Sequence, residues 1–359
     1  MEIPELQNLF IYPTWKCNLN CAHCWLDERE SENILSIELI DSAINDALGM
    51  GLKYIKISGG EPLLTKDITE YIVKKAGENN VKVAIETNGT MIDEKWATLF
   101  AENKVQVGIS IDSYKEEEHD IFRGKQGAFT ESINAIKMLV GKGCSTGIIH
   151  SISTINTEEI DKMVELSKEL GAKYLKLNPI VKVGKGKSFT EGNDFIFTLL
   201  PKEIIKLNNM YRSSDLPVIV MLPVGLSSLK KIVELPAEEQ FRCANCPTLN
   251  LASILPNGKV GLCAEAYRNT MMHFGDLNEV SLKEIWYNSD ELKELRGVIP
   301  DNMDGVCGKC LMKNICKGSC RSISVAQYGK ISSPHPICQH LYENNLFHLA
   351  KKSKEELPV

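Results

Sequence analysis

The sequence lacks the features that mark several large classes of protein. It has no dense block of lysine and arginine interleaved with aromatics, and its formal net charge is -6 at pH 7, so no nucleic-acid partner is expected. It has no run of about 18 apolar residues, and its N-terminus lacks the basic start and apolar stretch of a signal peptide. We therefore expect a cytoplasmic protein that has no membrane partner.

Cysteine, by contrast, is abundant, with twelve in 359 residues. Because cytoplasmic thiols stay reduced, so many cysteines are more typical of metal ligands or reactive groups than of a disulfide framework. Three of them, Cys17, Cys21 and Cys24, lie within eight positions, and eight more lie between Cys243 and Cys338. The distribution predicts two separate metal-binding regions.

The first two thirds of the chain alternate β-rich runs with amphipathic helical stretches. One of these helices is predicted to have Thr157 as its N-cap and Gly171 just after its end. Strands that alternate with helices predict a parallel α/β sheet with right-handed crossovers, either open or closed into a barrel or part-barrel. The six predicted strands span residues 8–13, 53–58, 81–86, 105–111, 145–153 and 173–178.

The composition changes after about residue 215, where the strand-helix alternation ceases and cysteine becomes dense. The stretch "LASILPNGKVGLC" is typical of a hairpin with Pro256, Asn257 and Gly258 in its turn. We therefore divide the chain into an α/β domain (1–215), a linker (216–242), a cysteine-rich domain (243–345) and a C-terminal tail (346–359).

Small polar residues, glycines and cysteines follow the predicted strands at their carboxyl ends, where parallel α/β folds collect their chemistry. The three-cysteine loop follows the first strand, "GGEP" (59–62) the second and "TNG" (87–89) the third, while "SID" (110–112) ends the fourth. Since the carboxyl ends of parallel strands share one rim, these segments predict an active site.

Three thiolates suit one 4Fe-4S cluster, which takes one cysteine per iron and is then left with one iron that has no protein ligand. An open coordination position distinguishes a reactive metal site from a closed structural one. The alternative is a zinc ion with His23 as the fourth ligand. It is disfavoured because one short loop would have to supply all four tetrahedral directions.

The spacing Cys17-x3-Cys21-x2-Cys24, followed by Gly59-Gly60-Glu61-Pro62, resembles the radical S-adenosylmethionine enzyme superfamily. The resemblance implies a partial (β/α)6 TIM-like barrel. It also implies that the amine and carboxylate of S-adenosylmethionine chelate the open iron. An electron from the cluster then cleaves the sulfonium to methionine and a 5'-deoxyadenosyl radical, which abstracts a hydrogen atom from the substrate. The electron would come from a flavodoxin or ferredoxin.

The resemblance also assigns contacts to S-adenosylmethionine. Glu61 would hold the ammonium, and His23 matches the adenine-contacting position. Arg123 resembles an arginine that pairs with the methionyl carboxylate; the alternative is an ordinary surface arginine. The full set of predicted cofactor-binding residues is His23, Gly59, Gly60, Glu61, Pro62, Asn88, Ser110, Asp112 and Arg123. For Asn88 the alternative is a turn residue, and for Ser110 and Asp112 it is the capping of a strand end.

The later cysteines, with the element Gly258-x4-Cys263, resemble the SPASM domain, an extension of radical enzymes that carries two auxiliary 4Fe-4S clusters. A zinc ribbon is not expected, because 60 residues separate Cys246 from Cys307. The resemblance implies that auxiliary cluster I is held by Cys243, Cys246, Cys263 and Cys320, and auxiliary cluster II by Cys307, Cys310, Cys316 and Cys338. Cys144 stays unassigned and is expected to be buried as a small apolar residue.

Radical enzymes with this extension mostly modify peptides. We therefore predict maturation of a ribosomally made peptide by hydrogen abstraction, giving a thioether or carbon-carbon crosslink or an epimer. Because the cysteine loop starts within the first 20 residues, leader binding is expected to need a separate protein or the barrel itself. Sulfatase-maturing relatives carry an aspartate where Ala264 stands here, which disfavours formylglycine formation. Glu265 is the candidate proton acceptor; the alternative is an exposed hairpin glutamate.

Two other functions stay open. A modifier of haem or tetrapyrrole side chains would use the basic segment 177–186, with Lys182, Lys185 and Lys187 near its end, to meet propionates, although a solvated loop explains these lysines equally. A protein of another class, a non-catalytic iron-sulfur electron carrier or a zinc scaffold, would have no use for residues 59–62.

Overall fold

The structure, a computed structural model, describes residues 3–26, 32–153, 156–181, 183–190, 216–223, 226, 246–345 and 347. The strands in these ranges are β1 (Asn8–Ile11), β2 (Tyr54–Ile57), β3 (Lys82–Thr87), β4 (Gln106–Ser110), β5 (Ser145–Ile152), β6 (Leu175–Pro179), β7 (Val218–Val220), β8 (Leu251–Ile254), β9 (Lys259–Gly261) and β10 (His273–Asp276). They form one sheet in the order β10-β9-β8-β1-β2-β3-β4-β5-β6-β7.

The six strands predicted from the sequence are all present, and each pairs in parallel with its neighbours. Alternate residues point to opposite faces of a strand. On β2, Ile55 and Ile57 are fully buried in the core that the helices cover, whereas Tyr54 and Lys56 are only half-buried. The second face therefore lines the interior of the curved sheet.

Helices cover the outer face of the sheet. Between the parallel strands lie α1 (Ile37–Gly49), α2 (Lys66–Glu78), α3 (Glu94–Glu102), α4 (Glu116–Arg123), α5 (Ala128–Gly141), α6 (Ile160–Glu169) and α7 (Lys187–Thr190). Ser36 caps α1 by accepting a hydrogen bond from the backbone N–H of Leu39 at 3.2 Å. Gly51, just past the end of α1, has a φ of 98°, as expected of a residue that stops a helix.

The predicted N-cap of α6 is wrong. Thr157 lies inside a 3-10 turn (Thr157–Glu159) that precedes the helix. Asn156 fixes the backbone before this turn. Its side-chain oxygen accepts a hydrogen bond from the backbone N–H of Ser153, and its side-chain amide donates one to the carbonyl of Ser151, both at 2.8 Å. This hydrogen bonding sets the start of the turn.

The cysteine-rich region extends the sheet that the α/β region begins. The predicted hairpin is confirmed, with β8 antiparallel to β9 and Gly258 at a φ of 84° in the turn. Strand β8 also pairs in parallel with β1, so the hairpin adds to the barrel edge. At the other edge, β7 lies within the range that was predicted as a linker and pairs in parallel with β6. The parallel run is thus longer than the six predicted strands.

The C-terminal helices pack beside the hairpin. They are α8 (Leu282–Asn288), α9 (Asp290–Val298), α10 (Gly305–Lys309), α11 (Lys313–Cys316), α12 (Arg321–Tyr328) and α13 (Pro336–Glu343). The indole of Trp286 is 1% exposed and donates a hydrogen bond to the carbonyl of Pro4 at 2.9 Å. This bond ties the C-terminal region to the start of the chain. Among the described helices, none is long and apolar enough to cross a bilayer.

Candidate active site

The three-cysteine loop lies directly against the glycine pair that follows β2. Gly60 donates its N–H to the carbonyl of Thr14 at 3.0 Å, and Glu61 donates to that of Lys16 at 2.8 Å. A Cβ at Gly59, where φ is 144°, would lie 2.6 Å from the Thr14 oxygen, and one at Gly60 would overlap the carbonyl oxygens of Trp15 and Lys16. The glycines are therefore needed for close approach of two backbones next to Cys17.

Glu61 joins this loop to the loop after β3. Its fully buried carboxylate accepts hydrogen bonds from the Thr87 hydroxyl at 2.7 Å and from the backbone of Leu63 and Asn88 at 3.1 and 2.9 Å. Burial raises the pKa of Glu61, against the lowering effect of these donors. Both oxygens hold the loops together, and the predicted contact of Glu61 with the ammonium stays a prediction. The backbone at Gly59 and Gly60 stays the candidate for cofactor approach.

Asn88 does more than form a turn. Its side-chain amide donates to the Asn18 side chain at 2.8 Å and lies 4.0 Å from the sulfur of Cys17. Its side-chain oxygen accepts from the backbone of Thr90 at 2.9 Å, and its carbonyl accepts from the hydroxyl of Ser132 at 2.7 Å. The loop after β3 thus fixes the segment that carries Cys17.

Arg123, the last residue of α4, is buried rather than at the surface. One Nη lies 2.5 Å from the carboxylate of Asp112, and the other lies 3.7 Å from the sulfur of Cys21. Although burial opposes ionisation, Arg123 holds the pKa of Asp112 well below its usual range. Within the described part of the chain, the buried Nε of Arg123 has no hydrogen-bond acceptor.

His23 is held flat beside the same helix. Its ring stacks on Phe122, with centroids 4.5 Å apart, and its Nε2 lies 3.1 Å from the hydroxyl of Ser151. Across the described residues, no three Cys, His, Asp or Glu side chains converge as ligands of a single metal ion. Ser110 ends β4 and is half-buried.

The end of β5 and the loop after β6 also reach the cysteine loop, which the sequence did not indicate. Ser151, on β5, contacts His23 and donates its backbone N–H to Asp112 at 2.8 Å. After β6, Lys185 donates its backbone N–H to the carbonyl of Cys24 at 2.9 Å, and its side chain donates to Asn20 at 2.5 Å. Lys185 therefore supports the cysteine loop, while Lys182 lies outside the described residues.

The cysteines implied for auxiliary cluster II line one cavity. Cys307, Cys310, Cys316 and Cys338 all face it. The backbone N–H of His335 donates to the sulfur of Cys307 at 3.2 Å, and that of Met312 donates to the sulfur of Cys310 at 3.4 Å. Four thiols around one cavity, with N–H donors aimed at two of them, fit a fully ligated 4Fe-4S cluster.

The described cysteines implied for auxiliary cluster I also lie close together. Burial, followed by the nearby thiol of Cys320, raises the pKa of Cys246 to about 11. The sulfur of Cys263 lies 2.8 Å from the hydroxyl of Ser322, two residues after Cys320. The fourth implied ligand, Cys243, lies outside the described residues. Among the eleven described cysteines, none is in a disulfide.

Cys144 and Glu265 lie outside these cysteine sets. Cys144 is 5% exposed, and its sulfur lies 3.5 Å from the carbonyl of Ala97, so it is buried at the far end of β5 as predicted. Glu265 lies in a 3-10 turn (Ala264–Tyr267), and its side chain is outside the described part of the structure. Its role as a proton acceptor stays a prediction.

Arg321 lies between the two auxiliary sets and was not identified from the sequence. Burial lowers its pKa, whereas the thiols of Cys307, Cys320, Cys316 and Cys246 act in the opposite direction. Its guanidinium, 1% exposed, donates to the carbonyls of Ile331, Ser333 and Gly318 at 3.0, 2.7 and 2.5 Å. It also donates to the hydroxyl of Ser324 at 2.9 Å. One side chain thus holds together the segments that carry both sets.

Replacing Arg321 by methionine is expected to lower the free energy of unfolding of this region by about 3 kcal/mol, because three buried carbonyls lose a charged donor. Urea unfolding followed by circular dichroism, together with iron content, measures the effect. Lys330→Met, at an exposed position near Arg321 in sequence, is the control and is expected to stay within about 0.5 kcal/mol. Equal stability of the two variants would contradict this assignment.

Comparison with known proteins agrees with this geometry. Residues 11–167 match the model of the Radical SAM superfamily, and residues 243–311 match that of the SPASM iron-sulfur cluster-binding domain. The chain therefore belongs to the radical S-adenosylmethionine superfamily and carries a SPASM domain.

Curated relatives differ in what they act on. The Fe-coproporphyrin III synthase of Methanosarcina barkeri is 28% identical over 353 residues, covering 90% of this chain and 86% of the relative. The antilisterial bacteriocin subtilosin biosynthesis protein AlbA of Bacillus subtilis is 30% identical over 258 residues, covering 70% of this chain and 53% of AlbA. This chain therefore matches only about half of AlbA.

Solved structures support the fold. The chain is similar to the crystal structure of Streptococcus suis SuiB bound to precursor peptide SuiA. The structural match covers 94% of this chain and 76% of SuiB, with a TM-score of 0.74 and 19% identity. At that identity the likeness shows a shared fold, namely the α/β radical enzyme barrel with its C-terminal SPASM domain.

Proposed function

We propose that this radical enzyme cleaves S-adenosylmethionine reductively and abstracts a hydrogen atom from a ribosomally made peptide, giving a thioether or carbon-carbon crosslink or an epimer. The observation that carries the radical chemistry is the meeting, on the three-cysteine loop, of residues that end or follow five neighbouring strands. Similarity to AlbA, a protein of bacteriocin biosynthesis, supports a peptide substrate.

Different residues of the chain would hold the cluster and S-adenosylmethionine. Cys17, Cys21 and Cys24 would hold the catalytic cluster, and the close approach at Gly59 and Gly60 would leave backbone groups to meet the methionyl amine. When bound, the cluster and S-adenosylmethionine together supply the hydrogen-abstracting 5'-deoxyadenosyl radical.

Other side chains would position the cofactor. Arg123 would offer N–H donors that Asp112 does not occupy to the methionyl carboxylate, while Asp112 orients the guanidinium. His23, fixed by Phe122 and Ser151, would contact the adenine.

The eight later cysteines would hold two further 4Fe-4S clusters, so that the loaded protein carries three. Full ligation of both auxiliary clusters by cysteine favours electron transfer or structural support over direct substrate binding. A flavodoxin or ferredoxin would supply the electron. We place the enzyme in the cytoplasm, where its thiols stay reduced.

Anaerobic reconstitution with iron and sulfide tests the first part of this proposal. We expect about twelve iron atoms per chain, four for each cluster. Dithionite and S-adenosylmethionine should then yield 5'-deoxyadenosine and methionine. Absence of 5'-deoxyadenosine at full iron loading would overturn the radical function. Mass spectrometry of a peptide encoded beside the gene and co-expressed with the enzyme, together with chiral analysis of its amino acids, tests the substrate, and an unchanged mass and chirality would count against it.

A second candidate is modification of a tetrapyrrole side chain. The extent of the sequence matches favours it, because this chain matches 86% of the length of the Fe-coproporphyrin III synthase and 53% of the length of AlbA. Incubation of the reduced, reconstituted enzyme with S-adenosylmethionine and a tetrapyrrole, followed by mass spectrometry, tests it. The tetrapyrroles are Fe-coproporphyrin III and, because a synthase of Fe-coproporphyrin III makes that compound and does not consume it, an iron tetrapyrrole that still carries acetate as well as propionate side chains. Unchanged porphyrin in the presence of 5'-deoxyadenosine formation would leave the peptide as the favoured substrate.

A further inference from the structure

Three charged side chains meet inside the barrel, apart from the residues assigned above. The ammonium of Lys56, on β2, lies 2.7 Å from one oxygen of Glu86, on β3. The ammonium of Lys176, on β6, lies 2.8 Å from the other oxygen. Because β3 and β6 are three strands apart in the sheet, this contact forms across the barrel interior. We call Lys56, Glu86 and Lys176 the interior triad.

The interior triad has one positive charge in excess, since two lysines share one carboxylate. Burial is the largest cause that lowers the pKa of Lys56, and Lys176 adds to it, while Glu86 acts against both. Burial also opposes ionisation of Glu86, but the two lysines outweigh it and hold the pKa of Glu86 well below its usual range. An unbalanced cation in an enclosed space is costly, and an incoming anion would offset that cost.

The interior triad lines a space instead of being packed into the core. The side chains of Lys56, Glu86 and Lys176 keep 20%, 26% and 18% of their surface accessible. Ile55 and Ile57, which flank Lys56 on β2, are fully buried on the opposite face. The ammonium of Lys56 also lies 5.1 Å from the centre of the Phe10 ring, which fixes it at the wall of the interior. All three side chains therefore keep surface that is open to a ligand.

The position of the interior triad connects it to the site. Glu86 precedes Thr87, whose hydroxyl bonds Glu61, and lies two residues, or about 7 Å along the strand, before Asn88 beside Cys17. The thiol of Cys263 lies on another side of the triad and is near enough to Lys56 to act against the lowering of its pKa. The triad thus lies between the three-cysteine loop and the cysteine that follows the hairpin.

We propose that Lys56 and Lys176, oriented by Glu86, bind a carboxylate group of the substrate inside the barrel. Two ammonium groups can surround a carboxylate with charge-assisted hydrogen bonds, and the bound anion balances the interior charge. Only the identification of this ligand as the substrate rests on the function proposed above. An acidic side chain of a peptide and a propionate of a tetrapyrrole present the same group.

Binding of two probes to the reconstituted full-length protein tests this proposal. One probe is coproporphyrin III, compared with its methyl ester and followed by absorbance. The other is the peptide acetyl-Gly-Glu-Gly-Glu-Gly-amide, compared by calorimetry with its glutamine counterpart. We expect at least one acid to bind, and its neutral counterpart to bind about 10- to 100-fold more weakly, the effect of losing a hydrogen bond to a charged group. The acid that binds identifies the source of the carboxylate.

Two variants of the interior triad are expected to change the Kd of the acid in opposite directions. Lys176→Met should raise the Kd of the binding acid about 10- to 100-fold without changing that of the neutral counterpart. Glu86→Gln should lower the Kd of the acid, because it removes the competing carboxylate. A triad with a purely structural role would not tighten binding when Glu86 is neutralised. Lys74→Met, which removes an exposed partner of Glu70, is the control and should leave every Kd unchanged.

Several results would overturn the proposal. They are failure of the wild type to bind either acid, equal acid binding by the wild type and Lys176→Met, and weaker acid binding by Glu86→Gln. In Lys56→Met, the midpoint potential of an auxiliary cluster could shift while acid binding stays unchanged. That result would show that the lysines balance the charge of the cluster and do not bind the substrate. Failure of the radical function is distinguished separately, since it appears as absence of 5'-deoxyadenosine with the wild-type enzyme while probe binding persists.

Discussion

Cys21→Ala is expected to abolish formation of 5'-deoxyadenosine, whereas Cys316→Ala is expected to retain part of it. Cys21 is 6% exposed, and its sulfur accepts a hydrogen bond from the guanidinium of Arg123 at 3.7 Å, so it lies beside a residue that is predicted to bind the cofactor. Cys316 instead lines the cavity of the second cysteine set. Disturbing an outer partner of a metal site already costs about 10- to 100-fold in activity or metal affinity, so losing the ligand itself should cost more than about 100-fold.

Iron content and spectroscopy separate the two variants further. Cys21→Ala should lose about four of about twelve iron atoms and keep the spectra of the auxiliary clusters. Cys316→Ala should lose about the same amount of iron but keep part of the cleavage of S-adenosylmethionine. It should lose modification of the substrate or thermal stability. If both variants showed the same loss of 5'-deoxyadenosine, the division between a catalytic cluster and auxiliary clusters would be wrong.

Local sequence signals predicted the parallel strands well, because each is a short β-rich run bounded by glycine or polar residues. Strand β7 was missed, since it has three residues and lies between Pro217 and Pro223, where proline argues against a sheet. The hairpin β8–β9 was predicted from its turn. Its parallel pairing with β1, more than 200 residues away in sequence, depends on tertiary packing that no local pattern contains.

The candidate site shows the same limit. The spacing of the cysteines and glycines located it, because such spacing reflects what a cluster and a close backbone approach require. The partner of each charged group could not be predicted: Glu61 bonds the β3 loop, and Arg123 pairs with Asp112. Both contacts depend on how far the loops at the rim reach towards one another. The interior triad was missed for a related reason, since Glu86 and Lys176 are 90 residues apart and meet only because the sheet curves.

Gly60→Ala is expected to lower the rate of 5'-deoxyadenosine formation about 100-fold while the protein stays folded. The added methyl would overlap the carbonyl oxygens of Trp15 and Lys16, the residues just before Cys17. The loops would have to separate by about 1 Å, and a misplacement of that size near reacting groups costs about 100-fold in rate. The reaction is measured with dithionite and S-adenosylmethionine after anaerobic reconstitution.

The matched control is Gly141→Ala. Gly141 is the last residue of α5, and a Cβ there meets no atom within 4 Å. This variant should keep full activity and gain slightly in stability, because alanine restricts the unfolded chain more than glycine does. Since both variants add one methyl group, a difference between them isolates the contact of the glycine pair with the cysteine loop. Activity of Gly60→Ala equal to that of Gly141→Ala would show that this contact does not position the cofactor.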